Sequence, residues 1–146
     1  MVRFFKASRK QAIAFILCLV PFSAFAGIAV IANASVTATA LTPEQVSDIF
    51  LGKARTFPNG EKAIPIDQGM NSSTRDAFYL TVLKKSDSDM KSYWSHVVFT
   101  GKGHPPLQQE GGDEAIKALV QKNPTLLGYV DSKSVDTTVK VLLTVE

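Results

Sequence analysis

The stretch AIPIDQGMNSSTRDAF, residues 63–78, sets the architecture of this chain. Ala63 to Asp67 reads as a strand that delivers the chain into a polar loop from Gly69 to Thr74. Ala77, Phe78, Val82 and Leu83 then follow at helical spacing. Strand, polar loop and helix in this order aim a helix N-terminus at whatever occupies the space beyond the strand. Ser72, Ser73 and Thr74 put hydroxyl donors beside the first-turn N–H groups that a helix cannot satisfy, and the helix dipole adds partial positive charge at the same place. Residues Ser72, Ser73, Thr74 and Arg75 are therefore the candidate seat for a small oxyanion, with Asp76 as a first-turn charge that completes a capping box with Ser73.

Outward from this stretch, strands and helices alternate. On the N-terminal side, Ile28 to Ala32 is an apolar run suited to a buried strand. Thr42 is a predicted N-cap, with Pro43 at the first helical position and Gln45 closing a capping box; Val46, Ile49 and Phe50 share a face before Gly52 stops the helix. Pro58-Asn59-Gly60 is turn chemistry. On the C-terminal side, Ser86 to Asp89 caps a helix in which Met90, Tyr93, Trp94, Val97 and Val98 form an apolar stripe, which makes Trp94 a core residue. Glycines and prolines predict a loop from Thr100 to Gly112. A helix from Asp113 to Lys122 ends at Asn123-Pro124, and strands follow at Leu126 to Val130 and Val139 to Val145. The pattern predicts an α/β domain with a mixed or mostly parallel sheet flanked by helices, without internal repeats.

The first 26 residues differ in kind. Arg3, Lys6, Arg9 and Lys10 precede the apolar run from Ala12 to Val20, and Ala24-Phe25-Ala26 supplies a small-x-small cleavage pattern, so residues 1–26 read as a signal peptide and 27–146 as one exported domain. The alternative, a retained membrane anchor from Ala12 to Ala32, is opposed by Pro21, Ser23 and Gly27. Lipid attachment at Cys18 is opposed by the bulky Leu17 before it. Removal of the leader leaves 12 basic against 13 acidic residues, so the sequence pI of about 9.0 belongs to the leader and gives no ground for nucleic-acid binding. Cys18, the one cysteine, leaves as well, and with it any disulfide, thiolate nucleophile or cysteine metal site. A composition of 45% hydrophobic and 20% charged residues rules against disorder.

Four segments in order resemble the phosphate-binding proteins of bacterial phosphate ABC transporters, which have the type 2 periplasmic binding protein fold. Ile49-Phe50-Leu51-Gly52-Lys53 resembles the family's "IFLGK" helix end, and Ser72-Ser73-Thr74 its "SGT" phosphate loop. Gly101-Lys102-Gly103 and Leu127-Gly128-Tyr129-Val130 resemble its "GKG" and "IGYV" segments. The resemblance extends from about Leu41 to Val130 and implies a single lobe, the second, of a two-lobed fold. It implies a periplasmic protein recognising phosphate or a similar oxyanion, with the hydroxyls of Ser72 and Thr74 and the N–H groups of Ser73 and Thr74 as donors. Two departures bear on affinity: the middle glycine of the family loop is Ser73 here, and the family's arginine before the loop falls near Gln68. Arg75 either replaces that charge, chelating two oxyanion oxygens, or pairs with an acid such as Asp76 or Asp67.

His96 and His104 lack metal-ligand spacing and read as ordinary residues. Asp67 and Asp76 have no accompanying nucleophile pattern, and Lys102 reads as a solvated turn residue. The expectation is a non-enzyme without metal or cofactor. Its partners beyond the oxyanion are a membrane transporter, a sensor or a second copy of itself. The rival reading is an interaction module whose former ligand face docks a protein.

Overall fold

A computed structural model describes residues 27–146; the signal-peptide reading lies outside the described residues. Five strands form one sheet in the order β3-β2-β4-β1-β5. They are β1 (Ile28–Asn33), β2 (Ile64–Gln68), β3 (Leu107–Gln109), β4 (Leu126–Asp131) and β5 (Val139–Val145). β2 pairs parallel with β3 and β4, whereas β1 runs antiparallel to both β4 and β5, so the sheet is mixed and four of its strands point the same way. Helices α1 (Pro43–Phe50), α2 (Ser73–Phe78), α3 (Asp87–Phe99) and α4 (Gly112–Lys122) cover its two faces.

The central strands are apolar on both sides, as strands covered on both faces must be. On one face Ile28, Val30 and Ala32 of β1 and Leu127 and Tyr129 of β4 pack with Val46, Phe50, Phe78 and Trp94. On the other, Ala29, Ile31 and Val130 meet Ile116 and Val120 of α4. Phe78 stacks on Tyr129 with ring centroids 3.9 Å apart, and Phe50 meets the edge of Phe78 at 4.8 Å. Gly128 allows α4 to approach β4 closely: a Cβ there would stand 2.6 Å from Ile116 Cγ2.

The caps follow the sequence closely. Thr42 and Gln45 make a reciprocal capping box at α1, with Pro43 inside the first turn, and Ser86 and Asp89 do the same at α3. At α2 the cap is Ser72, whose side chain accepts from the Arg75 N–H; this corrects the box expected between Ser73 and Asp76. The apolar spacing from Ala77 to Leu83 is carried by α2 and then by a π-helical turn, Tyr79–Leu83, that ends at Lys84 in a left-handed conformation. Two further expectations are corrected. β3 lies inside the segment expected to be a loop, and Val98, placed in the apolar stripe of α3, is 53% exposed while Met90 and Trp94 are buried. α4 starts at Gly112 behind Gly111, which caps it at φ 102°.

Candidate functional site

The parallel strands β2, β3 and β4 all end at one side of the molecule, and the N-termini of α2 and α4 meet there. Open α/β sheets bind ligands in such a crevice, beyond the carboxyl ends of the strands. The space between them is a cleft of about 500 Å³, lined on one side by Gly69 and Asn71 to Thr74, and on the other by Glu110 to Glu114 with Ser134.

Gln68, at the end of β2, forms its floor. It is buried, donates from Nε2 to Asp113 Oδ1 (2.8 Å) and to the Tyr129 carbonyl (3.0 Å), and accepts at Oε1 from Ser72 Oγ (2.5 Å). Ser72 Oγ in turn accepts from the Arg75 N–H at 3.1 Å, so this hydroxyl spends its proton on Gln68 and its lone pair on the cap. The Ser73 and Thr74 hydroxyls have no hydrogen bond among the described residues and face the cleft together with the first-turn N–H groups of α2. Three of the four residues picked out in the sequence, Ser72, Ser73 and Thr74, therefore share the cleft.

Arg75 does not line it. The side chain is 7% exposed, stacks 4.4 Å above the Tyr79 ring, donates from Nη1 to Asp87 Oδ1 (3.0 Å) and holds Nε 3.6 Å from Asp67 Oδ2. Of the two roles open in the sequence, the geometry realises acid pairing, with Asp67 and Asp87 in place of Asp76. Asp67 also accepts from both Tyr79 and Tyr129. Burial, and then the carboxylate they donate to, hold both phenols well above the ordinary tyrosine range.

The charge of the cleft was not legible in the sequence. Its lining contains three carboxylates, Glu110, Asp113 and Glu114, and neither lysine nor arginine. Asp113 looks in the sequence like an ordinary first-turn acid of α4, yet it accepts from Gln68, from the Asp131 N–H (3.1 Å) and from Ser134 Oγ (2.7 Å). The Glu110 carboxylate lies over Gly69, where a Cβ would meet it at 2.4 Å. Asp113 is thus held in place by three hydrogen bonds, whereas Glu110 is exposed. Glu114 reaches outward to Lys117 at 2.9 Å. Among the described residues no cluster of histidine, cysteine, aspartate or glutamate has metal-binding geometry.

Several solved structures share this fold. A protein from Clostridium perfringens, assigned to the phosphate ABC transporter substrate-binding proteins and holding bound phosphate, superposes with a TM-score of 0.64 at 26% identity. An ABC-type phosphate transport receptor from Vibrio cholerae gives 0.61 at 24%, and PstS from Borrelia burgdorferi 0.56 at 14%. The fold is that of the phosphate ABC transporter substrate-binding proteins. Each match covers 80% of this chain and 44%, 45% and 47% of the three proteins respectively, so the chain spans less than half the length of the substrate-binding proteins it matches. No family model matches the chain.

Proposed function

We propose that this chain is a periplasmic solute-binding-like protein that recognises phosphate, or a similar oxyanion that keeps a proton, in the cleft at the start of α2. The observation that carries the reading is the meeting of Ser72-Ser73-Thr74 with the carboxyl ends of three parallel strands, in a fold shared with a phosphate-holding protein. The Ser73 and Thr74 hydroxyls and first-turn N–H groups supply donors; Ser72 and the Arg75 N–H shape the turn that presents them. The carboxylates favour an oxyanion with an O–H to donate, which phosphate has at neutral pH and sulfate lacks. Binding rather than catalysis is the activity; a membrane transporter is the partner in keeping with the neighbours, and a phosphate sensor is the alternative.

An open cleft excludes little water and offers few groups, so affinity should be millimolar, on the order of −4 kcal/mol. Calorimetric titration of the purified protein with phosphate and with sulfate tests this. The expected result is saturable heat with phosphate alone, lost in the Ser73→Ala/Thr74→Ala variant, whose substitutions spare the Ser72 cap. Equal heat with sulfate, or unchanged affinity in the variant, would defeat the assignment.

A further inference from the structure

A second cavity lies at the opposite end of β2 from the oxyanion cleft. It measures about 320 Å³, within the size range of small-molecule sites, and is walled by Phe50, Ile64, Pro65, Trp94, Pro106 and Leu107. The Trp94 wall is fixed: the ring is 9% exposed, meets Tyr93 edge-on at 5.0 Å, and lies so near Gly52 that a Cβ there would stand 3.3 Å from Trp94 Cη2.

Arg55 and Lys62 also line this cavity. The chain doubles back between them, with the Ala63 N–H donating to the Arg55 carbonyl (3.0 Å) and Thr56 bridged to Lys62. Both side chains are exposed, and neither forms an ion pair among the described residues. No aspartate or glutamate lines the cavity. The apolar wall favours an apolar body that releases water from it, and two unpaired cations at its rim favour an anionic head and oppose an ammonium.

We infer that this cavity is a second ligand site, for a small amphiphilic carboxylate whose apolar body lies against Trp94 and whose head faces Arg55 and Lys62. Octanoate is the probe and Trp94, the chain's single tryptophan, the reporter. Titration of the full chain should give a saturable shift in Trp94 emission with octanoate, a weaker one with octanol and none with octylammonium. Excess phosphate should leave the octanoate response unchanged, so the result is independent of the oxyanion reading. The Arg55→Gln/Lys62→Gln variant, at two exposed positions, should raise the octanoate dissociation constant roughly tenfold and leave octanol unaffected. Absence of a saturable response, an equal response to octylammonium, displacement by phosphate, or octanoate and octanol weakened alike in the variant would each overturn the inference.

Discussion

Asp67 ties together parts of the interior that are distant in the chain. Its carboxylate accepts from the Tyr79 hydroxyl (2.5 Å), the Tyr129 hydroxyl and the Gln68 N–H (2.9 Å), and it faces the buried Arg75. Asp67→Asn keeps the shape but removes the charge that balances Arg75 and turns an acceptor into a donor opposite a phenol. It should cost about 3 kcal/mol in urea unfolding, as breaking a buried charged pair does; a loss under about 1 kcal/mol would show that the network is solvated. Nothing local marked this role, because the tyrosines that meet Asp67 lie 12 and 62 positions away. Asp136 is one of the carboxylates whose pKa folding lowers. Hydrogen bonds from the Thr138 hydroxyl, Lys117 and the Thr138 N–H lower its pKa from 3.8 to about 2. Its contribution to stability is therefore complete above pH 3.8 and lost as pH falls through about 2. Asp136→Asn should flatten the stability profile across that window, measured by thermal melts; an unchanged slope would place the sensitivity elsewhere.

At the scale of elements, the contact of α4 with β4 depends on the bare backbone of Gly128. Gly128→Ala sets a methyl group 2.6 Å from Ile116 Cγ2 and should cost about 2 kcal/mol by overpacking. Ile116→Ala in the same chain should recover part of it, a coupling readable by a double-mutant cycle. Elements with a local punctuation mark were legible beforehand: Thr42-Pro43 opens α1, Ser86 opens α3, Asn123-Pro124 closes α4, and the run from Val139 to Val145 is β5 to the residue. β3 was not, since it has three residues, follows two prolines, and exists because Ile66 to Gln68 offer it a pairing edge. The π-helical turn was equally silent, because its apolar spacing differs little from that of an α-helix over five residues. In the cleft, the hydroxyl run at 72–74 announced itself, whereas Glu110 and Asp113 entered from a loop and helix that only the sheet order brings alongside.

For the molecule as a whole, the cleft pairs hydroxyl donors with three carboxylates in place of a cation. Phosphate affinity should therefore rise from about pH 8 toward about pH 6, as the ligand takes up its second proton. Calorimetry across that range checks this, and a fall in affinity would mean that the doubly charged form is preferred. The sheet order has a different implication, one of timing. β1 is the earliest described strand, yet it is clasped by β4 and β5, so Ile28 finds its partners only at Asp131 and Val145. Those partners come after every other described strand in the chain. Until Val139 to Val145 is in place, β1 has one bare edge and the sheet stays incomplete, so the first described strand must wait for the last.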